Sequence, residues 1–134
     1  MSFIAIIDTP AATLKYYPIE KAVHHEFHTS MYGDAFRDLL SKGVELLKAN
    51  GAHKWLSDDR GNSEITPEDT AWGATVWFPS ALAAGWKHWA IVMPAKQAGQ
   101  MDMNRRIDQW RAAGLNARVF EDPEPAFAWL ALQP

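Results

Sequence analysis

The stretch that decides the fold is HKWLSDDRGNSEITPEDTAWGATVWFPSALAAGWKHWAIVMP, residues 53–94. It opens on a short strand, His53 to Ser57, that runs into the polar loop Asp58-Asp59-Arg60-Gly61-Asn62-Ser63. Thr66-Pro67-Glu68-Asp69 then starts a helix. Thr66 is placed to cap it, Pro67 fits the first position, and two acids complement the free N–H groups of the first turn. This helix carries Trp72, Val76 and Trp77, is interrupted or restarted at Pro79, and closes at Gly85. His88 to Met93 is apolar on both faces, as a strand covered on both sides must be, and Pro94 ends it. A strand, a helix and a second strand in this succession call for parallel pairing with a crossover.

Downstream the unit repeats. Gln100 to Ala113 carries Met103, Ile107 and Trp110 at helical spacing and stops at Gly114. Ala117 to Phe120 is a last short strand, and Asp122-Pro123 opens a final helix with Phe127 and Leu130. Upstream of the deciding stretch, Asp34 to Lys48 places Phe36, Leu39, Leu40, Val44, Leu46 and Leu47 on one helical stripe, ended by Asn50-Gly51. Before it comes a short apolar run and then two segments that alternate with period two. Phe3–Asp8, Thr13–Tyr17 and Ala22–His28 read as strands whose connections are too short for helices, hence antiparallel. The expected fold is a single α/β domain over residues 1–134. Its mixed sheet has antiparallel N-terminal strands and a parallel βαβαβα C-terminal part, flanked by helices.

Composition narrows the function classes. The 134 residues carry 13 basic and 16 acidic side chains, a net charge of -3, which is no electrostatic footprint for nucleic acid. No apolar run approaches the roughly 18 residues of a membrane span. The chain has no cysteine, so disulfide, thiolate-metal and cysteine-nucleophile chemistry are out of reach. With no signal-peptide pattern at the start, the expected location is cytoplasmic. All seven tryptophans fall at or after Trp55, in the parallel section.

The order of elements, with GVELLKANGAHKWLSDDRGNSEITPEDTAW and the later WFPSALAAGWKHWAIVMP, resembles the bacterial SpoIIAA-like proteins, whose fold is shared with STAS and CRAL-TRIO lipid-transfer domains. The motifs behind it are Asp58-Asp59-Arg60 at a strand exit, the Thr66-Pro67-Glu68-Asp69 cap, the Trp77-Phe78-Pro79 break and the Gly85 to Pro94 unit. The resemblance implies a SpoIIAA-like mixed sheet and a non-catalytic regulatory or interaction module, homodimeric, without a cofactor. It also implies a phosphorylated serine just after a central strand. The nearest candidates are Ser63 and Ser57, although the Ser-Gly pair of that pattern does not stand here.

Three constellations could carry chemistry. Ligands of open α/β sheets favour the carboxyl ends of the parallel strands. Ser57, Asp58, Asp59, Arg60, Ser63, Thr66 and Lys96 converge there as a loop for a ligand or protein partner, or simply as a loop shaped by an Asp–Arg60 pair. The aromatic set Trp72, Trp77, Phe78, Trp86, Trp89 and Trp110 reads as core, as a dimer seam, or as a pocket for a small apolar or lipid-like ligand. His24, Glu26 and His28 share one face of a strand, and imidazole with carboxylate suits zinc or iron. A single short strand cannot complete such a site, so the metal expectation is none and the bland reading is a solvent face. His25, on the other face, reads as a hydrogen-bonded core histidine. No nucleophile elbow, P-loop or dinucleotide fingerprint occurs, and Asp58 and Asp59 diverge on the strand. The expectation is therefore not an enzyme. The leading function is the interaction module, followed by a carrier or sensor of an apolar ligand, with a hydrolase or metal protein third.

Overall fold

Strand order follows chain order. In the computed structural model, which describes residues 2–62 and 64–134, six strands form one sheet in the order β1-β2-β3-β4-β5-β6. β1 (Ile4–Asp8), β2 (Ala12–Tyr17) and β3 (Ala22–Phe27) pair antiparallel. β4 (Lys54–Asp58), β5 (His88–Val92) and β6 (Asn116–Phe120) continue the sheet from β3 in parallel. The expected α/β architecture, antiparallel first and parallel after, is what the chain adopts.

Three crossovers join the parallel strands. α1 (Gly33–Asn50) leads from β3 to β4, and α4 (Gln97–Ala112) from β5 to β6. Between β4 and β5 run α2 (Pro67–Trp72), a π-helical turn (Gly73–Trp77) and α3 (Phe78–Ala83), without a gap. Because the strand order never reverses and such crossovers share one hand, all three belong on one face of the sheet. α5 (Pro123–Ala131) packs alone on the other. The cores follow this division. One joins Leu14, Trp55, Trp89 and Ile91 of the sheet to Leu39, Trp77, Ile107 and Trp110 of the helices. The other joins Tyr17, Leu56, Ala90 and Val92 to Phe127 and Leu130 of α5.

Two local features stand out. The expected restart at Pro79 is present, since α3 begins at Phe78 with Pro79 in its first turn. The Phe78 N–H reaches back to Gly73 O, and this wide turn brings Pro79, which has no N–H to place, into the start of α3. Gly61 stands at a close approach of two backbones. A Cβ there would collide with the backbone of Phe27 and His28, so the β4–α2 loop presses directly on the end of β3. Gly43, inside α1, has the same role elsewhere: a Cβ would strike the six-membered ring of Trp55. A mid-helix glycine is unfavourable by about 1 kcal/mol relative to alanine, and here it makes room for the largest fully buried side chain of the core.

Candidate functional site

The parallel register sets His25, Ser57 and Ile91 side by side on β3, β4 and β5. Their side chains face the three-crossover side of the sheet. Asp59, just past β4, joins them and donates its own N–H to Val92 O. Above this row the crossover helices leave a cavity of about 50 Å³, about the space of three to five water molecules. Trp77, Trp86, Trp89 and Trp110 wall it, with Phe36 and Met103. His25, Ser57, Asp59, Asp69, Thr70 and Arg106 are the polar residues of its lining.

The tryptophans are held by their N–H groups as well as by packing. Ring centroids lie 5.3 Å apart for Trp77–Trp86, 5.4 Å for Trp86–Trp89 and 5.1 Å for Trp89–Trp110, within the range of favourable aromatic pairs. Trp77 donates to Leu40 O at 2.8 Å, Trp86 to His88 O at 3.0 Å, and Trp89 to Ser57 Oγ at 2.8 Å. Trp55 donates to His25 Nδ1 at 2.9 Å. An indole N–H can only donate, so Nδ1 is the acceptor and His25 carries its proton on Nε2. That proton goes to Asp59 Oδ1, 2.7 Å away. The arrangement occupies both ring nitrogens of His25 and ties it to the buried Asp59.

The remaining charges are paired. Asp69 is 2% exposed and accepts from Gly33 N–H at 2.8 Å and Arg37 Nε at 2.9 Å. Burial pushes its carboxyl up, but these bonds outweigh burial and hold it below the usual range. Arg106 donates to Asp102 at 3.1 Å and lies 5.9 Å from the Trp110 ring. It also borders two further depressions on the surface of α4. Arg106 therefore stands where the cavity meets solvent.

The expected loop residues are mostly not a surface. Ser57 is 4% exposed and its oxygen is taken by Trp89, so the folded chain withholds this expected phosphate acceptor from a kinase. Asp58 faces the α5 side and is gripped by Arg60 through Nε at 2.9 Å and Nη2 at 2.8 Å. The loop-shaping pair is this one, and Asp59 serves the opposite face. Thr66 caps α2, accepting from Asp69 N–H at 3.2 Å, as its motif predicts. Ser63 lies outside the described residues. Lys96 is exposed ahead of α4 and lines neither the cavity nor the open depression of about 460 Å³ at the carboxyl ends, which Arg60, Pro94, Gln100 and Glu121 border. Since the strand order has no reversal, no deep crevice forms there.

Of the aromatic candidates, Trp77, Phe78, Trp86, Trp89 and Trp110 are buried and Trp72 is half-buried. Phe78 stacks on Trp110 from behind, with centroids 4.5 Å apart and planes 4° from parallel. The histidine stripe is a solvent face only in part: His24 is buried, Glu26 is half-buried and His28 is exposed. His24 is 6% exposed under Tyr17, Glu26 is paired with Lys15 at 2.8 Å, and His28 meets Thr13 Oγ1 at 2.8 Å. No group of three His, Asp or Glu among the described residues is arranged to hold a metal. Burial lowers the His24 pKa to about 4, and its Nε2 has no hydrogen-bond partner. Sequence reasoning missed Asp69 and Arg106. Asp69 hides among first-turn acids, but the Asp102–Arg106–Trp110 spacing of four and four did place three interacting groups on one helix face.

No family model, curated protein or solved structure matches the chain.

Proposed function

We propose that this protein binds a compact small molecule in the tryptophan-walled cavity above β3, β4 and β5. One observation carries the reading: an apolar aromatic cavity is reached by a few convergent polar groups, Ser57, Asp59 and Arg106 among them. A π-turn, a feature frequent at functional sites, forms part of the wall through Gly73 and Trp77. The small volume favours a ligand of a few heavy atoms over a long acyl chain, which narrows the carrier expectation. The tryptophan indole N–H groups serve as reporters. In a two-dimensional NMR titration with compact neutral ligands such as tert-butanol, the Trp77 and Trp89 indole signals shift saturably. Unmoved indole signals across such a panel, or shifts confined to residues around Arg60, reject this site.

A second reading is a SpoIIAA-like, STAS-type interaction module acting as a cytoplasmic homodimer. Its support is the sheet, antiparallel at the start and parallel after, and two open edges. β1 and β6 each pair on one side only and carry exposed Ile4 and Val119. Sedimentation at tens of micromolar distinguishes a dimer from a monomer, and a monomer ends this reading. A dimer that Ile4→Lys dissociates places the seam on β1.

A further inference from the structure

We propose that the Arg106 side chain is a gate, closing the tryptophan-walled cavity against a surface groove between α2 and α4, and that small molecules enter when it swings aside. The inference rests on the cavity reading above and adds the route of entry and the residue that controls it. It starts from which spaces share a wall. Outside the cavity lies a groove of about 240 Å³, bordered by Ala74, Arg105 and Gln109. Thr70, Arg106 and Trp110 line both the groove and the cavity. Trp110 is 7% exposed and fixed by stacking on Phe78. Thr70 is short and belongs to α2. Arg106 is the long side chain of the shared wall, with many rotamers open to it. A second cleft beside Arg106, toward Gly99, holds about 10 Å³, barely the space of one water molecule. The groove is therefore the entrance.

What holds Arg106 in place suits a gate. Its side chain is 12% exposed and donates to Asp102 at 3.1 Å. It meets Met103 Sδ at 3.6 Å, and its guanidinium lies 5.9 Å from the Trp110 ring centre. Among the described residues these partners all belong to α4, Asp102 one turn before Arg106 and Trp110 one turn after it. Rotation of the side chain therefore breaks no hydrogen bond across the gap to α2. Asp102 also has a second cation at hand, since Arg105 lies 3.8 Å from its other oxygen. The carboxylate keeps a counter-charge when Arg106 turns away, and a partly exposed ion pair of this kind is a weak latch.

The test follows tert-butanol, an uncharged probe, by relaxation-dispersion NMR of the Trp89 indole N–H, which yields entry rate, exit rate and Kd. Asp102 is not part of the cavity wall, and Asp102→Asn loosens the latch. It should raise both rates by about three- to fivefold and leave Kd unchanged. Arg106→Met removes the guanidinium and should also raise the entry rate. A residue that merely lines the cavity would change the exit rate and Kd and leave the entry rate as it was. An entry rate unmoved in either folded variant, with binding still saturable, overturns the gate and leaves the cavity reading in place. Absence of saturable binding to the unaltered protein overturns both. If Asp102→Asn does not fold, the entry rate of Arg106→Met decides alone.

Discussion

His24 and His25 are neighbours in the chain and belong to different environments. His25 faces the crossover side, where Trp55 and Asp59 occupy both ring nitrogens. His24 faces the α5 side, where burial is nearly as complete but Nε2 makes no hydrogen bond, with Glu26 Oε1 3.7 Å away, and Tyr17 Oη lies 3.5 Å from Nδ1. The crossover face is thus built with its polar groups satisfied around a cavity. The α5 face, covered by a single nine-residue helix, buries polar side chains less completely. A strand sends alternate residues to opposite faces, so one step along β3 separates a core group with both ring nitrogens hydrogen-bonded from one whose Nε2 makes no hydrogen bond.

The comparison can be broken most forcefully at Trp55. Trp55→Ala removes a fully buried indole and leaves His25 Nδ1 unpaired. We expect a loss of about 3–5 kcal/mol in urea unfolding. A loss below about 1 kcal/mol would mean that the crossover face is far looser than its packing indicates. Acid titration probes the opposite face. His24 has a folded pKa of about 4 against 6.5 for the ordinary group, so the unfolded chain binds its proton first as pH falls. The His24 contribution is fully present above about pH 6.5, declines toward pH 4, and levels off below that, an effect of about 3 kcal/mol. His24→Leu should flatten this decline, and an unchanged pH profile in that variant assigns it to other groups. Gly43→Ala sharpens the crossover side. The added methyl meets Trp55 and should destabilise by about 1–3 kcal/mol, with the loss reduced when Trp55 is replaced by leucine in the same chain. The smallest effect is expected at the rim of the α5 face. Lys15→Ala breaks the partly exposed pair with Glu26 and should change stability by less than about 1 kcal/mol, with little left of the difference in high salt.

Much of the fold was legible in short patterns. The Thr66 cap, the stripe from Phe36 to Leu47 and the doubly apolar His88–Val92 strand each depend on local periodicity or hydrogen bonding, which the chain states within a few residues. The candidate site was legible only in pieces. Alternation correctly sent Asp58 and Asp59 to opposite faces, yet nothing local says that Asp59 meets His25, 34 positions away. The histidine stripe was read on the right face, but the burial of His24 comes from Tyr17 on the neighbouring strand, seven positions away. Ser57 read as a surface serine because it borders a polar loop, and it is buried because Trp89 on the next strand takes its oxygen.

By itself the sequence determined the α/β class, the change from antiparallel to parallel pairing and the grouping of tryptophans after residue 55. Those follow from spacing, turn chemistry and composition. Tertiary structure alone decided which polar groups were satisfied, that Gly43 and Gly61 sit at close approaches, and that four indoles enclose a space beside Asp59. These depend on side chains brought together from distant segments, and no local pattern encodes the distance between them.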